Sequence, residues 1–149
     1  MSTPNETEPG TTDRQKNTSV MEIRVRFCET DLMGIVHHAS YLVYFEAGRV
    51  EWLRRRGVTY ADWASRGVHL PVVEANVSYK APARFDDLLR VETTLADLRT
   101  VSMKFTYRIH RGDTLIAEGF TRLGCIDDKH KLLKIPDHMR EVLLAGERA

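Results

Sequence analysis

From Val73 the apolar residues settle onto alternate positions, and they keep that period through most of the second half of the chain. Val73, Ala75, Val77 and Tyr79 alternate with Glu74, Asn76, Ser78 and Lys80 until Pro82 stops the pattern. Leu89, Val91, Thr93 and Leu95 then alternate with Arg90, Glu92 and Thr94. The cleanest run is Val101, Met103, Phe105, Tyr107 and Ile109, set between Ser102, Lys104, Thr106, Arg108 and His110. After the turn Arg111-Gly112-Asp113, a last strand pattern covers Thr114 to Asp127, where Gly119 and Gly124 are expected to mark bulges or bends. A period of two sends successive side chains to opposite faces, so each segment reads as half-buried sheet. Four such strands in meander need something to cover.

The thing to be covered lies upstream. Between Ala39 and Arg56 the spacing is helical, with Leu42, Val43, Glu46, Val50 and Leu53 on one stripe and Tyr41, Tyr44 and Phe45 widening it. A helix apolar nearly all round is expected to be deeply buried, with the sheet curled about it. Arg54-Arg55-Arg56 followed by Gly57 is a stop signal: cations near the last carbonyls, then a residue suited to the left-handed cap. The arginine run reads as complement to the helix dipole on a solvated end. Before the helix, Glu22 to Phe27 alternates as a strand with Ile23, Val25 and Phe27 inward; after it, Tyr60 to Ser65 reads as a short helix. Pro136 to Leu144 reads as a closing helix. One helix followed by a run of strands predicts an α+β domain with a mainly antiparallel sheet.

At 149 residues the chain makes one domain with a real core, read as 20–145 with a short C-terminal end at 146–149. Residues 1–19 are polar, without an apolar segment, and are read as a disordered tail rather than a secretory signal. A net charge of +1 argues against general attraction to nucleic acid or to anionic membrane. No apolar run approaches the roughly 18 residues of a membrane span. The expectation is a cytoplasmic protein with no nucleic-acid partner and no stable membrane association. Cys28 and Cys125 each fall within a strand-like pattern and are read as unpaired core thiols. A single sheet around one helix leaves edges that need protection, which makes a homo-oligomer expected.

Chemistry concentrates between the first strand and the long helix, in Glu29-Thr30-Asp31-Leu32-Met33-Gly34-Ile35-Val36-His37-His38-Ala39-Ser40-Tyr41. Asp31 can serve as a general base toward water or as a nucleophile at a carbonyl carbon. A few residues on, the first N–H groups of the helix have no partner within it, and those near Val36 to His38 can hold a developing oxyanion. The competing reading is that Asp31 only satisfies local backbone N–H groups, as loop aspartates do; spacing leaves both open. Adjacent histidines on a helix point about 100° apart, so His37 and His38 make a poor metal pair, and no metal site is expected. Glu46, on the apolar stripe, is a secondary candidate as a buried carboxylate, either in the site or paired with Arg49 or Arg26.

The same residues, Arg26-Phe27-Cys28-Glu29-Thr30-Asp31 through Tyr41 with the helix behind them, resemble the signature of hotdog-fold acyl-CoA thioesterases. The similarity is to the 4-hydroxybenzoyl-CoA thioesterase and YbgC-like group, carried by Asp31, Gly34, Val36, His38 and Tyr41. Tyr79-Lys80-Ala81-Pro82-Ala83 and Asp86-Asp87 extend it, so that it covers roughly Val20 to Leu144. The resemblance implies a single hotdog domain, a five-stranded antiparallel sheet wrapped around a long central helix. It also implies hydrolysis of a short-chain or aromatic acyl-CoA without a cofactor, in homodimers or dimer-of-dimers tetramers with sites at the subunit boundary. Asp31 maps to the family's essential carboxylate, as nucleophile or base, and His38 to the backbone N–H that polarises the thioester carbonyl. Gly34, Val36 and Tyr41 map to substrate-binding positions, and Arg99 and Ser102 to coenzyme A contacts. Phe27 stands where some YbgC-like enzymes have tyrosine, and Arg99 is the only basic residue where the 4-hydroxybenzoyl enzymes have a basic run. Dehydratases or hydratases of the same fold, and a non-catalytic acyl-CoA-binding protein, are the alternative readings.

Overall fold

In the computed structural model, which describes residues 16–148, the sheet has five strands, every neighbouring pair antiparallel. They are β1 (Thr18–Arg24), β2 (Val72–Tyr79), β3 (Leu88–Leu98), β4 (Ser102–Arg111) and β5 (Thr114–Gly124), in the spatial order β1-β3-β4-β5-β2. The helices are α1 (Ser40–Arg54), α2 (Tyr60–Ser65) and α3 (Asp137–Leu144). Of the tail expected over residues 1–19, residues 1–15 lie outside the described residues, while Thr18 and Ser19 open β1.

The meander holds for β3, β4 and β5 but not for β2, which pairs with β5 at the far edge. The connection from β2 to β3 is carried across to the β1 side by backbone bonds. Val36 donates to the Ala83 carbonyl at 2.8 Å, Asp86 donates to Val25 at 3.0 Å, and Val25 donates to Asp87 at 2.9 Å. Gly119 does not mark a bulge. A β-carbon there would strike the Asn76 carbonyl oxygen, so glycine lets β2 approach β5 closely. The bulges fall at Val72/Glu74, Leu95/Asp97 and Ile109/His110. β5 ends at Gly124 rather than Asp127.

The inward residues of the sheet, among them Val91, Met103, Phe105, Tyr107, Ile109, Ile116 and Leu123, are buried against α1. Phe45 stacks on Tyr107 with centroids 4.2 Å apart, and Trp52 meets Phe105 edge-on at 5.2 Å. The buried stripe of α1 is Tyr41, Tyr44, Phe45, Gly48, Arg49, Trp52 and Leu53. The predicted stripe is therefore rotated away: Leu42, Val43 and Glu46 are exposed, Val50 is half-buried, and only Leu53 lies inside. Arg49 explains the shift. It enters the core because its Nε donates to the Tyr60 hydroxyl at 2.8 Å and its Nη1 to the Tyr107 hydroxyl at 3.0 Å, which is itself 2.6 Å from Thr121 Oγ1.

Helix α2 has the predicted bounds, and its cap is Thr59, whose side chain accepts the Asp62 N–H at 3.1 Å. Gly57 follows α1 with φ +81°, as the stop signal requires. The arginine run is not uniformly solvated, however. Arg56 is buried, lies 3.5 Å over the Trp52 ring, and donates to Ser19 Oγ and to the Trp52 and Lys16 carbonyls. Burial lowers its pKa to about 10. Phe27 departs as well: β1 stops at Arg24, and Phe27–Glu29 form a 3-10 turn that leaves the Phe27 ring exposed, edge-on to Phe85. Cys28, in that turn, is exposed while Cys125 is buried, and neither is in a disulfide. Among the described residues no helix is long and apolar enough to cross a membrane.

Candidate active site

The loop bearing Asp31 is a tight, closed structure. Thr30 and Val36 bridge, Asp31 N–H donates to the Ile35 carbonyl at 2.9 Å, and Gly34 N–H donates back to the Asp31 carbonyl at 3.0 Å. Gly34 sits at φ +76°, a conformation that a β-carbon disfavours. The second arm of the loop is pinned from outside, by the Val36–Ala83 bond and an Ile35–Arg84 bridge. Asp31 Oδ1 accepts the Met33 N–H at 2.8 Å, as loop aspartates do, and no other partner is seen for the carboxylate among the described residues. One oxygen thus orients the group, and the other is unengaged among the described residues.

At the second arm the chain turns into α1. His37 N–H donates to the Glu29 carbonyl at 2.8 Å, and His37 Nδ1 accepts the Ala39 N–H at 3.1 Å, so this ring caps the helix start. The His37 and His38 rings lie 4.1 Å apart, tilted by 30°. Among the described residues the His38 N–H has no hydrogen-bond acceptor, in a segment where its neighbours do. A free donor at the head of a fifteen-residue helix is suited to a developing negative charge. The His38 carbonyl is held from the other side by the Tyr79 hydroxyl at 3.0 Å. Tyr41 is buried between Tyr44 and Tyr79, meeting both rings edge-on, and burial pushes its hydroxyl pKa up.

Five of the predicted positions therefore meet in one place: Asp31, Gly34, Val36, His38 and Tyr41 all lie in the loop or the first turn of α1. Arg99 and Ser102 do not join them. They sit at the β3–β4 turn, where Arg99 N–H donates to the Ser102 carbonyl at 2.8 Å and its side chain pairs with Asp97. The Asp31 loop rests on Ala83–Arg84, before the opposite end of β3; at about 3.3 Å per residue, β3 separates the two by roughly 30 Å. Glu46 is exposed rather than buried, and Arg49 is taken by tyrosine hydroxyls, so the pairing considered for Glu46 is not made. Among the described residues no three His, Cys, Asp or Glu side chains converge to hold a metal.

Two residues of the site were not singled out from sequence. Tyr79 reaches it from the end of β2. Glu29 is a buried carboxylate that accepts the Arg26 N–H at 2.7 Å, Arg26 Nη2 at 3.0 Å and the Tyr44 hydroxyl at 3.1 Å. Burial alone would raise its pKa; those donors outweigh it and hold the group below the usual glutamate range. The available signal was a glutamate three residues after Arg26, the spacing by which a side chain reaches back to cap a short turn.

A long helix lying in an antiparallel five-stranded sheet, with a strand-to-helix loop at its head, is the hotdog fold of thioester-hydrolysing enzymes. Residues 25–143 match the thioesterase-like superfamily, and the chain belongs to that family. It is 36% identical over 106 residues to the acyl-CoA thioester hydrolase YbgC of Escherichia coli O157:H7, covering 70% of this chain and 79% of that protein. A hypothetical protein from Thermus thermophilus, TT1821, superposes with a TM-score of 0.82 at 42% identity, covering 89% of this chain and 99% of the other. The DHNA-CoA thioesterase of Staphylococcus aureus superposes with a TM-score of 0.80 at 29% identity, over 84% and 87% of the two chains.

Proposed function

We propose that this chain hydrolyses a short-chain or aromatic acyl-CoA to the free acid and coenzyme A. The observation that carries the reading is the pairing, across one closed loop, of a carboxylate with a single orienting bond and a helix-head N–H with no acceptor. The thioester carbonyl oxygen would take the His38 N–H. Asp31 would then either remove a proton from water, as hydroxide adds to the carbonyl carbon, or attack that carbon itself and be released by water. In both routes the C–S bond breaks and coenzyme A leaves as thiol.

The proposed assembly is a homodimer, or a tetramer of two dimers. Supporting it, β2 is bonded along one edge only and exposed through most of its length, with Val72, Val73 and Tyr79 open, while Leu42 and Val43 are open on α1. Arg99 and Ser102 lie beyond the far end of β3 from the Asp31 loop, so their proposed part, contact with coenzyme A, is assigned to a site completed by a second copy. Light scattering that finds a monomer at micromolar concentration would remove this part of the reading.

The deciding experiment is release of free thiol across acyl-CoAs of graded length and benzoyl- and phenylacetyl-CoA, run beside Asp31→Asn. Turnover of at least one substrate, lowered about 10²-fold or more in the folded variant, is expected. Wild-type turnover by Asp31→Asn would overturn the mechanism. Hydration of enoyl-CoA without thiol release would favour a hydratase, and ligand binding without any turnover a non-catalytic acyl-CoA-binding protein.

A further inference from the structure

We infer that Glu29 is a positioning residue for the reaction, fixing Asp31 and the His38 N–H relative to one another; the inference rests on the reading of the site just given. Glu29 stands two residues before Asp31 and binds both arms of the loop through different atoms. Its carboxylate accepts from the Arg26 N–H at 2.7 Å, from Arg26 Nη2 at 3.0 Å and Nε at 3.3 Å, and from the Tyr44 hydroxyl, one turn into α1, at 3.1 Å. Its carbonyl accepts the N–H of His37, the residue before the proposed donor, at 2.8 Å and the Ser40 hydroxyl at 3.2 Å. The turn before Asp31, the segment before His38 and the first turns of α1 therefore converge on one residue.

A buried carboxylate is costly unless its oxygens are filled. Here the charge is spent on holding two elements that carry the two halves of the site, and Glu29 itself touches no substrate in the proposed reaction. The hydroxyl of Tyr44 makes this exchange reciprocal, because the ring is fully buried and its pKa is pushed above the usual phenol range by burial first and by Glu29 second. Displacement of a catalytic group by about 1 Å can cost on the order of 10²-fold in rate, so a loosened clamp is read in turnover before it is read in binding.

The test measures steady-state hydrolysis of benzoyl-CoA, or of the best substrate in the thiol assay, by the full chain and four variants. These are Glu29→Gln, Tyr44→Phe, Asp31→Asn and the double variant Asp31→Asn with Glu29→Gln, each checked for folding by thermal melting. Glu29→Gln is expected to lower kcat about tenfold or more with KM within about twofold, and Tyr44→Phe to lower it in the same direction by less. The double variant is expected to lose less than the product of the two single losses, because once Asp31 is replaced Glu29 has only the His38 N–H left to place. Wild-type kcat in folded Glu29→Gln, or a loss in the double variant equal to the product of the single losses, would overturn the inference. If Glu29→Gln does not fold, unchanged kcat in Tyr44→Phe overturns it. An active Asp31→Asn overturns the catalytic reading itself, an outcome distinct from an inactive Asp31→Asn beside an unaffected Glu29→Gln.

Discussion

The Tyr79 hydroxyl donates to the His38 carbonyl at 3.0 Å, tying the last residue of β2 to the segment that leads into α1. The bond fixes the backbone of His38 and leaves its imidazole exposed. In the proposed mechanism, position 38 therefore contributes a peptide group rather than a side chain.

His38→Ala keeps that peptide. Turnover of the best acyl-CoA is expected to stay within about tenfold of wild type, while Asp31→Asn falls by about 10²-fold or more. A loss in His38→Ala as large as that in Asp31→Asn would move the role from the N–H to the imidazole.

Acid should act on the fold through Glu29. Its folded-state pKa lies below the ordinary value of 4.5, so its contribution to stability is full above about pH 4.5 and is lost as pH falls through the folded value. Urea melts from pH 7 downward should therefore show wild type losing its advantage over Glu29→Gln below about pH 4.5. An advantage that persists unchanged to pH 3 would contradict the assigned shift.

The Arg49 network predicts an asymmetry. Arg49→Met removes a buried charge and fills the same space, and stability is expected to change by no more than about 1 kcal/mol. Tyr107→Phe instead strips an acceptor from a guanidinium that stays buried, at a cost of about 1–3 kcal/mol. Equal losses in equilibrium denaturation would contradict the scheme.

Gly119→Ala should be harmful despite its size. The added methyl meets the Asn76 carbonyl oxygen, a backbone atom held by the β2–β5 ladder, so β2 has to shift outward. A loss of about 1–3 kcal/mol is expected in denaturant melts. Unchanged stability would mean that β2 yields freely.

The parts of the fold that were legible in the sequence are those set by local chemistry. Helix α2 keeps the bounds Tyr60–Ser65, Gly57 ends the α1 segment in the left-handed conformation, and the alternation from Met103 to Ile109 gives the inward face of β4. What escaped depends on partners distant in the chain. Nothing near Arg49 announces the hydroxyls of Tyr60 and Tyr107, so an arginine could not be placed on the buried face. The apolar Leu42 and Val43 were placed there instead. The neighbour of β2 was hidden for the same reason, since Val36 and Ala83 decide the crossover. Within the site, the loop from Asp31 to Tyr41 is continuous in sequence and was found whole. Tyr79 contributes from another element, and the spacing of Glu29 after Arg26 announces a cap for the turn but not its bond to Tyr44.

Among the described residues the only strand β2 pairs with is β5, and most of its length lies open to solvent. Strands held on one side open at lower free energy than strands held on both. Release of the end of β2 also breaks the bond from Tyr79 to the His38 carbonyl. Under the proposed mechanism the His38 N–H is braced on its carbonyl side by an edge strand, so any body that settles against that strand steadies the proposed donor. If a second copy is that body, as in the assembly proposed above, specific activity is expected to rise with protein concentration, with mass action at the sheet edge steadying the helix head.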